Sequence, residues 1–162
     1  VTIFEKITDQ MKPIRFLAFI AALFMLAPIA CKKSSNNPQT ATVSMTFTFN
    51  GTAETSKLIV ATWYKSQNAV QIIGSNGTQG LNISFSSPKT GTFDVATDPT
   101  VLVSFSTAAD FDHTYLGTTG KIVITTFTST TIAGTFAFSG QNGLGQSGVI
   151  ANGTFSAKLV IQ

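Results

Sequence analysis

From residue 42 to residue 162 apolar and polar side chains alternate with a period of two, and turn-forming dipeptides interrupt the alternation at short intervals. A period of two puts every second side chain on one face of an extended strand, whereas a helix needs 3.6. The stretch "TVSMTFTFN" (42–50) sets Val43, Met45, Phe47 and Phe49 on one face, and "LNISFS" (81–86) does the same with Leu81, Ile83 and Phe85. "KIVITTF" (121–127) is apolar on both faces, as a central strand is, and residues 132–139 and 153–162 alternate again. Shorter runs at 57–65, 69–74, 91–95 and 101–107 bring the expected total to about nine strands. Asn-Gly occurs at 50–51, 76–77, 142–143 and 152–153. Both residues tolerate the positive φ of tight hairpin turns, so each pair is read as a turn. Residues 86–91 and 140–148 are expected loops. The pattern predicts an all-β domain over 42–162, an antiparallel β-sandwich with a partly open β-barrel as the alternative. "NGT" and "GTF" recur, but at irregular spacings, which excludes a solenoid or propeller.

The first 41 residues differ in kind. Met11, Lys12 and Arg15 form a short basic start, Phe16 to Ala27 is an unbroken apolar run of 12 residues, and Ala30 stands directly before Cys31. That order reads as a helical signal peptide over 11–30, too short to span a bilayer, which takes about 20 apolar residues. Residues 1–10 fit no signal region and are read as an extension upstream of the true start at Met11. Cys31 is the single cysteine, so no disulfide within the chain is available and the domain must rest on its apolar core. The "PIAC" ending resembles the lipobox of bacterial lipoproteins, with Pro28 where the common pattern has leucine. The resemblance implies cleavage before Cys31 and acylation of Cys31. Each buried methylene of an acyl chain contributes about 0.8 kcal/mol, so two or three chains hold a protein at the membrane essentially for good. Residues 31–41 are then the lipidated cysteine and a polar tether. Lys32 is not the aspartate associated with inner-membrane retention, which favours the outer membrane, and the lack of acidic residues after Cys31 favours its periplasmic face. Behind such a leader the "NGT" tripeptides are read as turns rather than glycosylation acceptors.

Charge excludes a nucleic-acid partner. The sequence pI is about 9.2, yet from Cys31 onward seven lysines face five acidic residues and no arginine is present. Phosphate binding calls for clustered cations, and these are scattered.

Four segments, Phe47 to Gly51, Gly120 to Thr125, Gly134 to Phe138 and Asn152 to Phe155, together resemble small lipoproteins of unknown function common in Bacteroidetes. Those proteins have a lipobox, a polar tether, an "F-x-x-NG" strand and a "G-T-F-x-F … NG-x-F" ending. Where they often carry an acidic residue after the "I-T" strand, this chain has "TSTT" (128–131). The resemblance implies a β-sandwich and an envelope address, and no known activity.

Chemistry-bearing residues are few. The lone histidine, His113, has no nucleophile elbow to serve, and no phosphate-cradling loop is present. Asp110 and Asp112, spaced i and i+2 in "DFDHTY", are the candidate metal ligands, against the reading of 110–115 as a solvated turn. Trp63 and Tyr64 are the candidate ligand platform, against the reading of Trp63 as core. No cofactor is expected and no enzymatic activity. The sequence is read as a lipid-anchored binding or structural module whose partners are the membrane, through Cys31, and a glycan or envelope protein. Glycan capture and a fimbrial or adhesin-like assembly role are the concrete alternatives.

Overall fold

A computed structural model describes residues 42–162. The expected upstream extension, signal peptide, Cys31 and tether lie outside the described residues. Ten strands are present: β1 (Ser44–Phe49), β2 (Thr52–Thr55), β3 (Leu58–Tyr64), β4 (Ala69–Ser75), β5 (Gly80–Ser86), β6 (Gly91–Asp94), β7 (Leu102–Ser106), β8 (Thr114–Phe127), β9 (Thr131–Gln141) and β10 (Ser147–Ile161). A single 3-10 turn, Lys65–Gln67, joins β3 to β4. The all-β class is as expected. Its hydrogen bonding falls on the barrel side of the two arrangements weighed, and the barrel is closed.

The ring runs β10–β3–β4–β5–β7–β8–β9 and back to β10. Seven strands cannot alternate in direction all the way round, so one neighbouring pair must be parallel. That pair is β10–β3, where Leu159, Val160 and Ile161 face Ala61, Thr62 and Trp63. Two backbone bonds lengthen this seam, from Gln162 N–H to the Trp63 carbonyl and from Lys65 N–H to the Gln162 carbonyl, each 2.9 Å.

Upstream of the seam the same edge of β10 carries β1, with Ser44 opposite Ser156 and Phe49 opposite Ile150. β1 and its hairpin partner β2 therefore cover the wall where β3 has parted from β10. The alternation in β1 pays off inside the ring: Met45 and Phe47 are buried, and Phe47 lies edge-on to Phe105 of β7 with ring centroids 5.3 Å apart. Met45, Ile72, Ile83, Ile122 and Ile132 have no exposed surface. Side chains fill the barrel, as they do in other barrels of about this size.

The Asn-Gly pairs divide. Asn50 and Gly51 have φ of 47° and 85° and make the β1–β2 turn. Asn76-Gly77 and Asn142-Gly143 lie in the β4–β5 and β9–β10 connections. Asn152-Gly153, expected as a turn, sits inside the 15-residue strand β10, where the register to β9 shifts between Ile150 and Gly153. Asn152 takes φ 53° there, so the tolerance that permits a turn instead accommodates the extra residue of a bulge. Gly153 lies beneath Phe136, where a Cβ would meet the ring at 2.5 Å.

Candidate functional site

Three connections gather at one end of the barrel: Asn76–Gln79, Thr107–His113 and Asn142–Gln146. Each is fixed by its own side chains. In the first, Asn76 Oδ1 accepts from Gln79 N–H at 3.1 Å and Ser75 Oγ donates to the Gln79 carbonyl at 3.0 Å. In the third, Asn142 is buried, and its Oδ1 accepts from the N–H groups of Leu144 and Gln146 at 3.1 and 2.8 Å. These are Asx-type bonds, in which a short polar side chain replaces strand partners that a loop backbone lacks.

The middle connection carries the expected metal ligands. Asp110 Oδ1 accepts from the backbone N–H of His113 at 2.9 Å and pairs with its Nδ1 at 2.6 Å. The bond to the His113 ring is the main reason the Asp110 carboxyl is held below its ordinary value of 3.8. Thr114 Oγ1 donates to the Asp110 carbonyl at 2.7 Å and shares a 2.8 Å bond with Ser106 Oγ. Asp112 is exposed and turned toward the third connection, where a Cβ on Gly143 would meet its Oδ1 at 2.8 Å. Among the described residues no three His, Cys, Asp or Glu side chains gather as metal ligands.

Between them stands Phe111, 65% exposed. Its ring rests on the third connection at Gly143, where an added Cβ would come within 2.7 Å of Phe111 Cδ1. Only a residue without a side chain lets the ring lie that close. Beside it a groove of about 420 Å³ opens between this loop and the β4–β5 connection, floored by Ser75, Gln79, Ser106 and Thr114. In the sequence "DFDHTY" stands out for its acids, and Phe111 between them is the residue the structure adds. A large apolar residue in a polar loop was the available signal.

Trp63 and Tyr64 lie elsewhere, next to the parallel seam. Trp63 is half-buried and packs against the core, with Lys65 Nζ 5.3 Å from its ring centre and Phe127 on its edge. Its Nε1 is buried without a hydrogen-bond partner. Tyr64 is half-buried as well. The two aromatics are not brought together with Asp110, Asp112 or Phe111.

A match to the family described as a domain of unknown function (DUF6252) covers residues 55–157. The chain belongs to the DUF6252 family. No curated protein and no solved structure matches it. The DUF6252 match runs from the end of β2 into β10, so it contains all three connections, Phe111 and Trp63, and it leaves out β1 and the seam residues Leu159 to Ile161. A second surface depression, of about 460 Å³, also falls within DUF6252 strands, on the wall of β8, β9 and β10 around Val123, Ala137 and Thr154.

Proposed function

We propose that this protein is a lipid-anchored, non-enzymatic module of the bacterial cell envelope that binds its partner on its outer surface. The observation that carries the reading is the packed interior. Core side chains occupy the space in which ligand-carrying barrels hold their cargo, so a ligand is left with the loop end and the outer wall. The absence of catalysis is supported by the dispersal of titratable groups: Asp110 is engaged with His113, while Glu54, Asp94 and Asp98 belong to other parts of the chain. The anchor rests on the order of basic start, apolar run, Ala30 and Cys31, and the short polar tether keeps the domain near the outer membrane, on its periplasmic face. The fimbrial or adhesin-like reading has less support. β2 and β6 each pair on one side only, but both are four residues long and make poor templates for an added strand.

The test is fractionation of cells making the full chain, with mass spectrometry of the peptide beginning at Cys31. Outer-membrane recovery with an acylated Cys31, and release into the soluble fraction by Cys31→Ala, is the expected result. An unmodified Cys31, or unchanged membrane recovery of the variant, would overturn the anchor. Protease added to intact cells should leave the domain uncut. Cleavage would place it on the cell surface.

A further inference from the structure

We propose that the groove beside Phe111 is a binding site for neutral polysaccharide. The inference deepens the surface-binding reading and rests on it, but it does not depend on the anchor.

Three observations converge. The first is that Phe111 is exposed by construction. The connection holding it is pinned at Asp110, Thr107 and Thr114 by hydrogen bonds of 2.6–3.0 Å, and the ring is seated on Gly143 of a loop that is itself pinned by the buried Asn142. A loop fixed at that many points has no freedom to turn the ring inward, so the ring stays at the surface. Holding it out leaves an apolar ring in water, which is unfavourable relative to burial. The second is the chemistry of the groove. Next to the ring it offers the Thr78 hydroxyl, the Gln79 side-chain amide and the Asp110 carboxylate, with the hydroxyl oxygens of Ser75 and Thr114, whose protons go to the Gln79 and Asp110 carbonyls, as acceptors. A sugar presents an apolar C–H face and a rim of hydroxyls, which matches a ring flanked by short donors and acceptors. Asp110 Oδ1 is committed to the backbone N–H and ring of His113, which fixes the orientation of the carboxylate at the groove wall. The third is charge and shape. No lysine lines the groove, and its single ionisable wall residue is the carboxylate of Asp110. Such a wall repels sulfated or uronic-acid chains and accepts neutral ones. Its volume falls within the roughly 300–1,000 Å³ of small-molecule sites, but it is open along its length. An open trough fits a stretch of a chain better than an engulfed monosaccharide.

The rigid loops bear on affinity, because preorganised side chains lose little freedom on binding. The site is thereby distinct from Trp63, whose ring is already occupied by Lys65 and Phe127.

Affinity electrophoresis of the full chain in mild detergent tests the proposal, in native gels containing laminarin, xylan, galactomannan or dextran. Alginate and heparin serve as anionic controls. At least one neutral polysaccharide should retard the protein, and neither anionic chain should. Phe111→Ala should weaken that retardation at least tenfold, and Asp110→Asn should weaken it severalfold. Phe111→Trp should preserve it and add a fluorescence signal that the polysaccharide shifts. Val160→Ser, on the outer wall beside the seam, should leave it unchanged. Because Phe111 is exposed, the fold of Phe111→Ala should persist, and unchanged near-ultraviolet circular dichroism confirms this. Retardation by no neutral polysaccharide, retardation by the anionic chains alone, or full retardation of Phe111→Ala each overturns the site. None of these results touches the fractionation of Cys31→Ala, so failure of the groove and failure of the anchor are told apart.

Discussion

Met45 of β1 fills the space that Gly74 of β4 leaves open: a Cβ added to Gly74 would lie 2.3 Å from the Met45 sulfur. β1 is not a member of the closed ring, yet this contact places its side chain against β4 of the ring. The glycine and the methionine therefore act as lock and key between the β1–β2 hairpin and the barrel.

Gly74→Ala should destabilise the domain by about 1–3 kcal/mol, the usual penalty of overpacking. Ser56 Oγ stands 2.5 Å from the same point and adds to the crowding. Met45→Ala should cost about 2–5 kcal/mol through the cavity it leaves. The double variant should cost less than the two separately, since each change relieves part of the other, and urea melts of all four proteins measure the coupling.

Trp63 is the single tryptophan, so its fluorescence reports the seam alone. Its ring centroid is 5.2 Å from that of Phe127, with the planes at 69°. Emission should be blue-shifted and only partly quenched by acrylamide. Phe127→Ala should red-shift it, expose it to quencher and, through loss of the aromatic pair, remove about 0.5–1.5 kcal/mol beyond the effect of lost area. Emission already that of free indole in the unaltered chain would contradict the packing.

Two glycines with positive φ should respond differently to alanine. Gly120, at φ 136°, has the Ala137 carbonyl oxygen 2.2 Å from the place a Cβ would take, and the backbone of Phe138 at 2.5 Å. Gly51, at φ 85°, has open space there. Gly51→Ala should cost about 1–2 kcal/mol from backbone conformation alone. Gly120→Ala adds a clash that no side chain can relieve, and thermal melts should place it well below Gly51→Ala.

The Asp110 carboxyl should titrate below its ordinary value in an NMR pH series, and His113→Ala should move it back up. The sign for stability follows from the lowered folded value. The stabilisation of this loop is fully present above the unfolded carboxyl value of about 3.9 and is lost as pH falls through the folded one. A loop unaffected by that acidification would refute the pairing.

The fold class was legible because alternation is written directly into β1, β5 and β9, whose buried and exposed residues follow the period of two. β2 was missed because "TAET" carries no large apolar residue and stays largely exposed, being held by its pairing to β1 alone. The first half of β8 was missed because Gly117 and Gly120 look like loop residues, whereas here they admit a bulge between Gly117 and Thr119 and the close approach of β9. Closure of the ring was not legible, since it depends on which distant edges meet. At the loop end the acids stand out in the sequence as candidate metal ligands or a turn, while the exposure of Phe111 depends on Gly143, 32 positions away in the chain, and no local pattern records that.

The three-residue seam between β10 and β3 also governs timing. Ala61 to Trp63 wait for partners that come almost a hundred residues later, so the ring cannot close until positions 159–161 have been synthesised. Closing so long a loop has an entropic cost that grows slowly with its length, and contacts at this separation are associated with slow folding. Until then that edge of β3 has no partner from β10, so closure of the ring belongs to the last residues of the chain to emerge.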